Sequence, residues 1–184
     1  YNEMAAAYRF FDNEKVTFDN LLAPHQAATR ERIAAQPRVI LAQDTTELDV
    51  TRPEQQVAGA GPLDDGARRG ALLHVLHAFT PDGTPLGTVA ATAWSRDEAA
   101  AKKNRKRTPI EEKESQRWVD GYGKALGLAR ELPQCEVFSI SDREGDIFEV
   151  YQAWQLADGG PRAEWIIRAN QDRALVNVVD GEPA

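Results

Sequence analysis

Two aspartates carry the chemistry that this sequence offers. Asp44 follows the apolar run that begins at Arg38, in RVILAQDTTELDV, and Asp142 follows the run from Glu136 to Ser141. Each sits at or just past the carboxyl end of a segment that reads as a buried strand, an expensive place for an unpaired charge. Taken singly, an aspartate is most often a turn or cap residue, so it is the joint placement that points to a site. Carboxylates at neighbouring strand ends suit phosphoryl transfer on DNA. There two Mg²⁺ or Mn²⁺ ions about 3.5–4 Å apart activate the attacking oxygen and stabilise the leaving one. The one cysteine, Cys135, excludes an internal disulfide framework and a cysteine zinc cluster, so a metal here must be held by oxygen or histidine. Cys135 itself reads as core filler.

Rival residues lie close by. Glu47 and Asp49 fall in a segment expected to leave the strand, which makes them surface groups. Asp142, Glu144 and Asp146 form an Asp-x-Glu-x-Asp string without the downstream pattern of a calcium loop. Asp146 reads instead as a helix cap with Glu149 as its partner, and Arg143 and Glu144 as supporting residues. His74 and His77 fall on opposite faces of one strand and cannot both serve one simple site. Ser139 and Ser141 lack a His–Asp arrangement, and Gly59, Gly61 and Gly66 lack the lysine and spacing of a phosphate loop. Lys102, Lys103, Arg105, Lys106 and Arg107 fall within six residues. They read either as a solvated loop or as a phosphate-contacting one.

The elements that must position these residues follow from periodicity. Thr17 to Gln36 carries a loose helical stripe ended by Pro37, and Arg38 to Val50 begins as a strand. The runs Ala71–Thr80 and Pro85–Trp94 flank an Asp-Gly turn and read as a hairpin. Thr108, Pro109 and Glu111 predict a helix start, with a cap, a first-turn proline and a capping-box glutamate. Behind it Trp118, Tyr122, Leu126, Ala129 and Leu132 repeat at helical spacing up to Pro133. A strand from Glu136 to Ser141, a helix from Asp146 to Leu156 and a strand from Trp165 to Arg168 complete the order. The expected fold class is α/β: a ribonuclease-H-like mixed sheet of three antiparallel strands plus parallel strands with flanking helices, incomplete at the C-terminus. Its expected divisions are an N-terminal helical segment (1–37), the core (38–172) and the start of an inserted or truncated region (173–184).

Composition narrows the class. With 184 residues, 42% hydrophobic and 28% charged, the chain has the make-up of one ordinary globular core rather than of a disordered one. A net charge of −7 argues against a general nucleic-acid coat, so any DNA contact must be local. No apolar run reaches the ~20 residues of a membrane helix and no signal peptide opens the chain, so the expected location is cytoplasmic, with no membrane partner.

Four stretches, in order, resemble the insertion-sequence-four group of DDE transposases from bacterial insertion sequences. These are AYRFFDN (Ala7–Asn13), QDTTELD (Gln43–Asp49), KES with a tryptophan four residues after its glutamate (Lys113–Trp118) and SDREGDI (Ser141–Ile147). The resemblance implies that Asp44 and Asp142 are the first two catalytic, metal-binding aspartates, with two Mg²⁺ or Mn²⁺ ions in the complete site. It implies that Arg168, in IIRAN, lies near bound DNA. The implied activity is metal-dependent hydrolysis of a phosphodiester at a transposon end, followed by attack of the freed 3′-hydroxyl and strand transfer to target DNA. The implied partners are transposon-end DNA, target DNA and a second copy of the protein. The family's third carboxylate, a late glutamate, has no counterpart before Ala184, and most of its amino-terminal end-binding domain is missing, so the chain alone is expected to be inactive. The alternatives are a non-catalytic DNA- or protein-binding remnant of the same fold and another two-metal nuclease.

Overall fold

The computed structural model describes residues 2–52, 57–64, 67–97, 108–157 and 159–173, and the backbone of 178–179 and 182–183. Among the described residues, six strands form one mixed sheet. They are β1 (Arg38–Asp49), β2 (Gly61–Pro62), β3 (Arg69–Phe79), β4 (Pro85–Trp94), β5 (Glu136–Ser141) and β6 (Glu164–Ile167). β1 is central, antiparallel to β3 on one side and parallel to β5 on the other; β3 continues to β4, and β5 to β6. The helices are α1 (Asn2–Phe11), α2 (Phe18–Ala34), α3 (Gln116–Glu131) and α4 (Phe148–Gln155). Two further short strands, β7 (Val178–Val179) and β8 (Glu182–Pro183), pair with each other. Among the described residues no helix is long and apolar enough to cross a membrane.

Alternation explains the strands. In β1, Val39, Leu41 and Gln43 are buried while Ile40 and Ala42 are half-buried on the other face. In β3 every second residue from Gly70 to Ala78 is buried, His74 among them, while His77 lies on the opposite face. The hairpin turns as the Asp-Gly pair predicts: the Thr80 N–H donates to Thr84 O at 2.9 Å, and Gly83 takes the positive φ of +88° that favours glycine.

Two residues of β4, Leu86 and Val89, are skipped by the register with β3, which runs Leu76 to Ala90, His77 to Thr88, Ala78 to Gly87 and Phe79 to Pro85. Such bulges leave backbone groups without a partner in the ladder. α2 supplies the partners. Arg32 Nε donates to Leu86 O at 2.5 Å, Gln26 Nε2 donates to Val89 O at 3.0 Å, and the Thr88 N–H donates to His25 Nε2 at 2.9 Å. Gly87 lies beneath the helix, where a Cβ would collide with the Thr29 hydroxyl. α2 therefore covers an edge that would otherwise invite pairing, with Thr29 and Ile33 fully buried. α1, by contrast, buries no residue.

The core lies on the sheet face covered by α3. Trp118, Tyr122, Ala125, Leu128 and Ala129 are all at most 3% exposed and pack against Val39, Leu41, Leu76 and Val137. The apolar stripe thus runs as its helical spacing predicts, and Leu126 and Leu132 flank it half-buried. Tyr122 Oη also donates to Ala163 O at 2.7 Å, satisfying its hydroxyl just before β6.

Three local expectations are corrected. The helix does not begin at the Thr108–Glu111 signature: Ile110–Glu112 form one 3₁₀ turn, Lys113 is extended, and α3 begins at Gln116. The physical reason is Glu114, which both guanidinium edges of Arg96 engage at 2.7 and 2.8 Å, tying the break to the segment that follows β4. Asp146 caps no helix: the residue before α4 is Ile147, and the Asp146 side chain turns inward. β1 does not end near Asp44 but runs to Asp49, so Glu47 and Asp49 stay in the strand, held by pairing with β3 down to Gly70. Both remain exposed, joined to Arg68 at 2.6 and 3.0 Å. Hydrogen bonds from the Thr51 hydroxyl and N–H and from Arg68 hold the Asp49 carboxyl at about 2.

Candidate functional site

The parallel register sets the geometry. β1 and β5 pair from Arg38 with Glu136 to Ala42 with Ile140. The pairing ends two residues short of both aspartates; continued by two steps, the same register would set Asp44 opposite Asp142. β5 and β6 pair up to Ser141 with Ile167, and the next step brings Arg168 beside Asp142. Asp44 lies within β1, while Asp142 and Arg168 are the first residues past β5 and β6, all beyond the level where the parallel pairing stops. The Arg168 N–H donates to Ser141 O at 3.1 Å and closes that end of the sheet.

Asp44, Asp142 and Arg168 are all exposed. Asp44 Oδ1 accepts the Thr45 N–H at 2.7 Å, and Asp142 Oδ1 accepts the Glu144 N–H at 2.8 Å, capping the 3₁₀ turn Arg143–Gly145. In each carboxylate one oxygen is oriented by a neighbouring backbone N–H, while the other accepts no hydrogen bond from a described residue. Two hard, half-free carboxylates on adjacent strands fit a divalent cation. Among the described residues, however, no group of three or more histidine, cysteine, aspartate or glutamate side chains could hold a metal.

Behind the carboxylates stands a network that sequence reasoning did not anticipate. Arg117, on the first turn of α3, donates from Nε to Thr45 Oγ1 at 2.8 Å, from Nη1 to Glu114 O at 2.8 Å and from Nη2 to Glu144 Oε2 at 2.5 Å. Thr45 Oγ1 lies 2.9 Å from His74 Nδ1, His74 Nε2 lies 3.4 Å from Gln43 Oε1, and Gln43 Nε2 donates to Ser139 Oγ at 3.0 Å. Burial first, and the Arg117 charge second, push the His74 imidazole down to about 4, outweighing the opposite pull of Asp44 and Asp120. Neutral His74 can then accept at Nδ1 from the Thr45 hydroxyl and donate from Nε2, so one consistent direction runs from Arg117 to Ser139. A Cβ on Gly121 would collide with Gln43 Oε1. A glycine inside the α3 stripe was the one sequence signal of this close approach.

The remaining candidates divide. Glu144 faces Arg117, whereas Arg143 is exposed and makes no ion pair with a described residue. Asp146 is 2% exposed. Its Oδ2 accepts the N–H groups of Asn170 and Gln171 at 2.6 and 2.8 Å; its Oδ1 accepts from Tyr151 Oη at 2.7 Å and from Arg173. Burial opposes ionisation of this carboxyl, but those four donors hold it well below the usual carboxylate range. With every lone pair engaged, Asp146 is a structural hub. Lys102, Lys103, Arg105, Lys106 and Arg107 lie outside the described residues.

Beside Arg117, a cleft of about 240 Å³ opens between β3, β4 and α3, bordered by His74, Trp94, Asp120 and Lys124. No family model matches this chain, and no curated protein sequence matches it.

Proposed function

We propose that this chain carries a DDE-type transposase catalytic domain with ribonuclease-H-like topology, in which Asp44 and Asp142 belong to a two-metal site. The observation that carries this reading is the β1–β5 register, which ends at Ala42 with Ile140 and, continued by two residues on each strand, would set Asp44 opposite Asp142. The sheet order supports it as well: three antiparallel strands, then a helix crossing over to a strand parallel to the first.

Bound Mg²⁺ or Mn²⁺ would act as a Lewis acid and activate the attacking oxygen. The chain's own part is to fix the ligand oxygens and leave the reacting phosphodiester accessible. Asp44, within β1, and Asp142, just past β5, are both exposed, with one oxygen of each pinned by a backbone N–H. Arg168, the first residue past β6, is the cation that would meet a DNA phosphate. The proposed substrates are transposon-end DNA and then target DNA, with two copies of the protein holding two ends.

Another two-metal nuclease with all its ligands in this chain is disfavoured, because Asp146 is saturated with donors and Glu144 is paired with Arg117. Mn²⁺ titration of the whole chain, followed by electron paramagnetic resonance, tests the proposal. One weak site lost in both Asp44→Asn and Asp142→Asn is expected. Binding that survives both substitutions, or that is lost only in Glu144→Ala or Asp146→Ala, refutes it.

A further inference from the structure

We infer that Arg117 is a positioning residue that sets the separation of Asp44 and Asp142, an inference that rests on the reading that the two aspartates share a divalent cation. The need for such a residue follows from the sheet. Hydrogen-bonded pairing of β1 and β5 stops at Ala42 and Ile140, two residues short of the carboxylates. At the level of Asp44 and Asp142 no ladder joins the two chains, and Asp142 has already left its strand.

Arg117 bridges that gap. One guanidinium edge reaches Thr45, the residue after Asp44; another reaches Glu144, whose N–H holds Asp142 Oδ1. Nη1 is bound to Glu114 O, so each of the three nitrogens makes one contact within the protein. Its side chain is only 16% exposed and lies over the rings of Trp118 and Trp94, at 5.5 and 5.7 Å. Trp118 is itself 1% exposed, so the guanidinium rests on a buried ring of α3.

The Thr45 end is fixed in turn. Its hydroxyl oxygen accepts from Arg117, which leaves the O–H proton for His74 Nδ1. Glu144 is 61% exposed, and an ion pair so open to water adds little stability. What the pair supplies is geometry: a planar fork spans two acceptors, one on β1 and one in the 3₁₀ turn after β5, which the point charge of a lysine cannot do. Groups that orient metal ligands typically change affinity by about 10–100-fold when removed.

The test is Mn²⁺ affinity and thermal midpoint, measured on the full chain for Arg117→Ala, Arg117→Lys and Thr45→Val, with Asp44→Asn as reference. Arg117→Ala and Arg117→Lys are both expected to weaken Mn²⁺ about 10–100-fold, and Thr45→Val to weaken it less. Arg96→Lys loosens the start of α3 at Glu114 without touching Thr45 or Glu144, and is expected to bind as the parent does. The conservative Arg117→Lys and Thr45→Val variants keep the test decisive if Arg117→Ala does not fold. Wild-type affinity in Arg117→Lys, or a loss matched by Arg96→Lys, overturns the positioning role while Asp44-dependent binding still stands. Mn²⁺ binding indifferent to Asp44→Asn overturns the shared-cation reading and this inference together.

Discussion

Asp142→Asn and Asp146→Asn are the same substitution four residues apart, and the structure separates their outcomes. At Asp146, Oδ2 faces two backbone N–H groups and Oδ1 faces the Tyr151 hydroxyl and Arg173. An asparagine has one acceptor oxygen and one NH₂ group, so in either orientation it sets donors against donors and leaves Arg173 without its charge partner. Breaking one side of a fully buried, hydrogen-bonded ion pair costs about 3–5 kcal/mol; with Arg173 36% exposed, that is the upper limit here. Set against a total stability of roughly 5–15 kcal/mol, that is a large fraction. In a chain of this length it corresponds to a fall in Tm of roughly 6–20 °C. Asp142 is exposed and its one backbone contact survives as an amide carbonyl, so its change should stay within about 0.5 kcal/mol.

Paired denaturant and thermal unfolding curves at pH 7 measure both. The Asp146 carboxyl ionises below the usual value of 3.8 in the folded chain, so its contribution is present above that value and lost as pH falls through the lower folded one. The gap between the parent and Asp146→Asn should therefore hold through neutral pH and close below about pH 4. Equal stability of the parent and Asp146→Asn at pH 7, or equal losses at the two positions, would refute the assignment of Asp146 as a hub.

Other outcomes follow from the same structure. His74 falls from 6.5 to about 4 on folding, so stability should drop as pH descends through that window. The drop amounts to about 3 kcal/mol at 1.4 kcal/mol per pH unit; His77, also lowered by burial, acts in the same direction. Urea midpoints at pH 7, 5.5 and 4 check this, and His74→Gln should flatten most of the slope. Gly121→Ala places a methyl group against the Gln43 amide and should cost about 1–3 kcal/mol in denaturant unfolding. Gly87→Ala meets both the Thr29 hydroxyl and a φ of +131°, and should cost at least as much; hydrogen exchange should then rise selectively along α2 and β4.

Much of this architecture was legible in the residues themselves. Periods of 2 and 3.6 reveal which face is buried without reference to distant parts of the chain. Hence β1, the β3–β4 hairpin and the Trp118–Tyr122–Ala129 stripe lie close to where alternation and spacing put them. The order of those elements already made the strand carrying Asp44 and the strand leading to Asp142 parallel neighbours. Long-range partners decided the rest. Arg96 moves the start of α3 past a well-formed capping signature, β3 carries β1 five residues beyond Asp44, and Asn170, Gln171 and Arg173 convert Asp146 from an expected cap into a buried anchor. Arg117 reads as one more helical surface charge until Thr45 and Glu144 meet it across the end of the sheet. The types and spacing of residues determine local periodicity and the sequence of strands. Which charge finds which partner is a property of three-dimensional proximity, and here only the tertiary structure decided it.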